Sequence, residues 1–304
     1  MNLLARLSLL VVALLVSGFS FGFAPVLADE LPVDTNKIES LTPEQARKLA
    51  EEFPGVEVEI EIKGIRHVII EGCLPLNGLR SLDAETAKAL AIYDKGPLVL
   101  SGLTTLDAKA AEALAEFKGG WLFLNGLTTL DADAAKAIAG FKGRYLSLNG
   151  LTTLDADTAK ALAESKGWHG RLPKLTTLDA GTAEALAGFK GGELALDGLT
   201  TLDADTAKAL AETEKWNGDL AAVTALDSPD SVAIAQALAA RKGPLSLSNL
   251  EKISPKTLTA LLKKEDVEIP VIETLDLIQE PDGSVTEDFL IPEGFQERQK
   301  QQSQ

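Results

Sequence analysis

The sequence predicts an α/β solenoid of about nine strand-turn-helix coils, with a parallel sheet on one face and irregular caps at both ends. Three observations carry this. Leucine recurs at 82, 106, 130, 154, 178, 202 and 226, a 24-residue spacing held without slippage; a fixed period of that length marks a repeat architecture in which each unit buries its apolar edge only against a neighbour. Within each unit the apolar pattern changes from strand-like to helix-like. The 304-residue chain is 45% hydrophobic yet only 5% aromatic, so Ala, Leu, Thr and Gly do most of the filling, which again suggests repetition.

Residues 121–143 show how a unit divides. Leu122, Leu124, Leu127 and Leu130 point one way along a short strand and its turn. Asp131 then stands as a helix N-cap, and Asp133 adds negative charge where the helix dipole favours it. Ala134, Ala135, Ile138 and Phe141 form an apolar helical stripe. Lys142-Gly143 ends the helix. Ahead of the array, 41–49 repeats the helix pattern, but the gap between Leu41 and Leu82 holds an insertion in which Val56 to Ile70 alternates apolar and charged residues around Lys63-Gly64, the pattern of a hairpin. Beyond Leu226 the repeat leucine is replaced by Ile253, later than the period requires, and 227–241 is expected to form a helix one turn longer than the others. The apolar stretch from Val267 to Ile278 is placed to seal the last coil, and Gln296–Gln304 is a polar tail of disordered composition. The organisation is thus a leader at 1–28, an N-terminal capping coil with a hairpin at 29–81, the repeat array at 82–262, and a C-terminal cap and tail at 263–304.

The leader reads as a cleaved secretory signal: a short segment to Arg6, an apolar run from Leu7 to Val16, and small or aliphatic residues at Val26 and Ala28 before Asp29. Cleavage there leaves 276 residues with 28 basic and 45 acidic side chains, a charge of −17. The competing reading is an uncleaved anchor spanning Leu7 to Leu27. No later segment approaches membrane-spanning length, so the mature chain is expected outside the cytoplasm, secreted, periplasmic or at the cell surface. Cys73, the single cysteine, is then expected to be buried as a small apolar residue.

Several chemistries are excluded. One cysteine and two histidines, His67 and His169, supply neither a disulfide nor a Cys-rich or three-His metal centre. An acidic chain without a Lys/Arg block is a poor partner for nucleic acid. No cofactor motif appears, and no cofactor or metal is expected. The aspartates at 83, 107, 131, 155, 179, 203 and 227 present hard oxygens of the kind calcium takes, but helix capping accounts for all seven without an ion. Asn77-Gly78, Asn125-Gly126 and Asn149-Gly150 are read as releasing the strand into its turn through a glycine of permissive backbone. His169 has only Ser147 and Glu193 in adjacent columns, too little for a nucleophile, base and orienting acid, and His67 reads as a solvated hairpin residue. The chain is therefore expected not to be an enzyme.

Function is expected where the repeats diversify. Residues before and between the strand leucines face outward. One such column runs Cys73, Pro97, Trp121, Tyr145, His169, Glu193, Asn217; another runs Pro75, Val99, Phe123, Ser147, Arg171, Ala195, Asp219; a third includes Arg144, Trp168 and Trp216. Trp121, Phe123, Arg144, Tyr145, Trp168, His169 and Arg171 thus gather on three consecutive strands, about 4.8 Å apart. Trp, Tyr and Arg are the residue types that most often anchor an interface. The alternative is that these rings cover one another and shield the sheet.

The string Leu-x-Leu-x-x-Leu-x-x-Leu, followed by Ala-x-Ala-Leu-Ala as in Leu100–Leu106 and Ala111–Ala115, resembles bacterial leucine-rich repeats. One similar variant is the 24-residue GALA type of secreted effectors, whose helix motif matches Thr86–Ala91; the other is the surface-antigen type, in which a leucine such as Leu127 takes the place of the usual asparagine. The resemblance covers residues 72–262 and departs from the GALA type at that asparagine and in a strand-to-helix path one residue longer. It implies a right-handed solenoid that binds proteins or surfaces, and no catalytic residue. The expected function is an exported binding module that recognises a protein or glycan through the aromatic and arginine face. The competitor is a self-associating structural protein of the envelope or matrix.

Overall fold

The computed structural model describes residues 34–54, 56–62, 65–280, 283–284, 291, 295 and 297. The signal segment 1–28 lies outside the described residues, as does the polar tail from 296 onward apart from Glu297. The chain is α/β. Nine α-helices occur among the described residues: α1 (Pro43–Glu52), α2 (Ala84–Leu90), α3 (Ala108–Ala115), α4 (Ala132–Ala139), α5 (Ala156–Ala163), α6 (Ala180–Leu186), α7 (Ala204–Glu212), α8 (Ser231–Ala239) and α9 (Pro255–Leu261). Each packs against the next in sequence.

The helices start where their capping residues are. Asp83, Asp107, Asp131, Asp155, Asp179 and Asp203 each accept a hydrogen bond from the backbone N–H three residues on, at 2.7–2.9 Å. Such a cap contributes about 1 kcal/mol. Thr42 and Gln45 form a reciprocal capping box at α1, and Ser254 caps α9. Asp227 departs from the expectation: Ser228–Asp230 makes a turn in which the Ser231 N–H donates to the Ser228 carbonyl at 3.0 Å, and α8 begins only at Ser231, with Asp230 at its N-cap making no side-chain cap bond. The extra residues of this repeat are therefore spent on the turn, and α8 has 9 residues, the same as α7.

The strands are short. β1 (Val56–Ile62) and β2 (Ile65–Pro75) pair antiparallel, and the far end of β2 runs on into a parallel ladder with β3 (Leu98–Val99), β4 (Trp121–Phe123) and β5 (Tyr145–Ser147). Leu74, Leu98, Leu122 and Leu146, one from each repeat, face one another in register and are fully buried; each contributes about 1.5–3 kcal/mol by leaving water. Towards the C-terminus, β6 (Ala225–Leu226), β8 (Lys252–Ile253) and β10 (Asp276–Leu277) form a second small parallel sheet at the repeat-leucine position, while β7 (Leu245–Ser246) pairs with β9 (Val267–Glu268). Val267, Ile269, Ile272 and Leu275 are buried there.

Between β5 and β7 the ladder is carried by single bridges, and the reason lies in three coordinated exchanges. Where neighbouring repeats carry Phe141 at the helix end and Leu146 in the strand, the next has Ser165 and Gly170, and the one two repeats further on has Thr213 and Gly218. The lost volume is restored by Trp168 and Trp216, equivalent positions two repeats apart and both 1% exposed. Leu146 bridges to Trp168 and Leu194 to Trp216, out of step with the repeat period, and Gly170 and Gly218 take φ of +70° and +79° to bring the chain back. Trp168 is thus in the core, edge-on to Phe189 at 5.1 Å, and not on the outward column assigned to it from spacing; Trp216 is likewise inside.

The Asn-Gly pairs also act differently from expectation. Gly78, Gly126 and Gly150 do not adopt positive φ. A Cβ on them would lie 2.4, 2.3 and 2.1 Å from the carbonyl oxygens of Ile38, Ser101 and Asn125, so glycine is demanded by close backbone approach between successive repeats. Gly102, which follows Ser101 at the equivalent place, meets the Asn77 carbonyl oxygen in the same way, at 1.9 Å. The asparagines reach across the same gap: Asn77 Oδ1 accepts the Ser101 N–H at 3.1 Å and Asn125 Oδ1 accepts the Asn149 N–H at 3.0 Å. Two asparagine rungs therefore stand just ahead of the leucine position, separated by Ser101.

Candidate functional site

β4, β5 and the segment 168–171, which bridges to Leu146 through Trp168 and to Ala195 through Arg171, set a file of rings on the outward side of the ladder. Because Trp121 pairs with Tyr145 in register, their side chains stand one above the other. The ring centroids are 4.9 Å apart and the planes 22° from parallel. Tyr145 meets His169 on the next repeat at 4.5 Å, and Phe123 lies 6.4 Å from Trp121 and 5.5 Å from Tyr145. Trp121 keeps 41% of its surface exposed. Tyr145 and Phe123 are half-buried and His169 is exposed. Offset stacking of this kind stabilises the rings against one another by about 0.5–1.5 kcal/mol per pair beyond the area they cover.

Arg144 and Arg171 flank the file and are exposed, and neither is paired to a carboxylate among the described residues. Arg144 sits in a bulge: its N–H and that of Tyr145 both go to the Gly120 carbonyl, at 2.7 and 3.0 Å, around a Gly120 φ of +82°. Of the seven residues read from the sequence, six are thus brought to one surface and Trp168 is withdrawn from it. Ser147, in the same outward column, is buried at 1% exposure, and its hydroxyl donates to Asn125 Oδ1 at 2.7 Å; spacing alone gave no sign that its neighbours close over it. The file is bounded by the buried Pro97 on one side and the exposed Glu193 on the other.

The aspartate row lies elsewhere, at the helix N-termini. It lines an open groove of about 560 Å³ with Ser40, Leu82, Asp83, Thr105, Asp107 and Asp131, continued past Thr129 and Asp155. In Asp83, Asp107, Asp131 and Asp155 a carboxylate oxygen is occupied by the residue's own helix, and Asp83, held below the usual carboxylate range by hydrogen bonds from the Thr86 amide and hydroxyl, shows what capping does. Among the described residues no cluster of three or more His, Cys, Asp or Glu is placed to hold a metal ion, and no helix among them is long and apolar enough to cross a membrane.

Buried polar groups gather at the helix ends instead. Tyr93 is fully buried, its hydroxyl donates to the Gly72 carbonyl, and burial, with smaller contributions from Cys73 and Asp94, pushes it up to about 12. Cys73 is itself raised by burial. Arg241, 6% exposed, donates to the carbonyls of Thr213 (3.1 Å), Pro244 (2.9 Å) and Trp216, and lies 4.7 Å over the Trp216 ring. Tyr93 and Arg241 are tied to the backbone, so they hold the fold together.

No protein-family model matches this chain, and no curated protein matches it either.

Proposed function

We propose that this chain is an exported, non-catalytic binding module: a right-handed solenoid of about nine coils, of the bacterial leucine-rich-repeat kind, that recognises a protein or glycan through Trp121, Phe123, Arg144, Tyr145, His169 and Arg171. The observation that carries the reading is the exposure of Trp121 at the head of a continuous file of rings. A tryptophan recruited only to fill space is buried, as Trp168 is two repeats later. Trp121 instead stands out with two arginines nearby that have no carboxylate partner among the described residues, the composition of interface anchors. The regular register of β2 to β5 and the helix-on-helix succession support the solenoid, and the signal-like leader supports export.

The test is a pull-down from envelope extract, beside a glycan array, using the protein and its W121A/Y145A double variant. The reading expects a partner captured by the parent and lost by the variant, with the variant still folded. Capture that survives both substitutions, or none at all, overturns it. Concentration-dependent oligomers that ignore the two substitutions and fail on removal of residues 263–304 point instead to the self-associating structural role.

A further inference from the structure

We infer that the ligand of the aromatic face is an acidic polypeptide segment, bound extended over about four or five residues; this rests on the reading of that face as the binding surface. The ring geometry is the first reason. Tyr145 has Trp121 on one side at 4.9 Å and His169 on the other at 4.5 Å, so its faces are occupied and the file turns ring edges to the solvent. Sugar rings stack on open faces, which Tyr145, the middle ring of the file, withholds. The edge of an aromatic ring is the positive part of its quadrupole and therefore suits carboxylate oxygens and peptide carbonyls.

Charge gives the second reason. The chain carries −16 overall, yet Arg144 and Arg171 lie beside the rings without a carboxylate partner among the described residues. The aspartate row is at the opposite ends of the helices. Across the eight residues of α4 that is about 12 Å, roughly one screening length at 0.1 M salt, so the row acts only weakly at the rings. A ligand on the rings thus meets the local positive charge of Arg144 and Arg171. The island ends at Glu193, which fixes its length: the two spacings of about 4.8 Å between three strands, plus side-chain reach at each end, give roughly 15 Å, the span of four or five extended residues at about 3.3 Å each. A guanidinium takes a carboxylate through two parallel hydrogen bonds, so acidic side chains alternating with aromatic ones would meet arginine and ring edge in turn.

The probe is a fluorescein-labelled Glu/Tyr copolymer, followed by anisotropy, with alginate as an anionic polysaccharide competitor. At about 0.1 M salt the parent is expected to bind the copolymer. R144A/R171A should bind it about tenfold more weakly, W121A at least as much so, and K136A, an exposed helix position away from the file, unchanged. At about 0.5 M salt the gap between parent and R144A/R171A should shrink, because screening removes what the arginines supply. All substituted positions are exposed, and matching melting curves confirm that the variants fold. Equal copolymer binding by R144A/R171A, alginate competing as well as unlabelled copolymer, or no copolymer binding by the parent overturns the inference. Should the extract partner be lost with W121A but retained by R144A/R171A, the face remains the binding surface and only its acidic ligand falls; should neither extract partner nor copolymer depend on Trp121, both fall.

Discussion

Trp168, Ser165 and Gly170 are a matched set, and breaking the set should cost far more than replacing it whole. Trp168→Arg removes a side chain that is 1% exposed and packed on Phe189 and puts a cation in its place, a loss of at least about 3–5 kcal/mol. Gly170→Leu forces a Cβ to within 2.5 Å of the Glu193 carbonyl oxygen at a φ of +70° and costs at least about 2 kcal/mol. Ser165→Phe drives a ring into space the indole holds, for about 1–3 kcal/mol. Added independently, the three come to roughly 6–10 kcal/mol, enough to unfold most domains. The triple variant S165F/W168R/G170L, however, copies Phe141, Arg144 and Leu146 of the preceding repeat, where Phe117 and Phe141 already stack at 6.5 Å. It should therefore lie within about 2 kcal/mol of the parent. Urea denaturation followed by far-ultraviolet circular dichroism measures this. A triple variant as destabilised as the sum of its parts would refute the idea that Trp168 replaces a phenylalanine and a leucine.

Three further outcomes follow from the same geometry. Asp131→Ala should lose about 1 kcal/mol and Asp227→Ala almost nothing, because only Asp131 accepts a helix amide, at 2.7 Å, whereas α8 starts beyond Asp227; paired melting curves check it. Gly102→Ala places a Cβ 1.9 Å from the Asn77 carbonyl oxygen and should destabilise by more than about 2 kcal/mol, while Gly192→Ala, with nothing within 4 Å and no positive φ, should be neutral or slightly stabilising; urea midpoints separate the two. Tyr93 is pushed up to about 12 by burial, above the ~10 of an unfolded tyrosine; its contribution is whole below about pH 10 and is lost as pH rises towards 12, about 2 kcal/mol of it by about pH 11.5. Melting of the parent and of Tyr93→Phe between about pH 8 and 11.5 should diverge by that amount, and parallel curves would remove the claim.

What the sequence made legible is what repeats. Leucines that return once in every unit point to a common interior, which Leu82, Leu106, Leu130, Leu178 and Leu226 reach and Leu154 and Leu202 only border, and the aspartates ahead of the helices had one cheap explanation that the hydrogen bonds bear out six times. The failures fall where two local features trade against each other. Asp227 matches the period, but the Ser228–Asp230 turn carries the chain past it before the helix begins. The glycines after asparagine looked like conformational switches because a single strand shows no neighbour; the carbonyl that forbids a side chain belongs to the preceding unit.

Trp168 shows why the outward face was only partly readable. Column assignment treats every position as fixed by spacing, and spacing does carry Trp121, Tyr145 and His169 onto one file. Spacing cannot register that a Leu→Gly and a Phe→Ser exchange have opened a hole large enough for an indole. The signal was present all the same, in the return of the whole triplet two repeats later as Thr213, Trp216 and Gly218. A tryptophan recruited for binding has no reason to return in step with the loss of core volume, whereas one that fills that volume must. The same test applied to Trp121 gives the opposite answer, since Phe117, Leu122 and Leu124 of its own repeat are all present and buried and leave no space for its ring inside. That contrast, drawn from volumes and not from residue type, is the strongest physical reason to look for the ligand at Trp121.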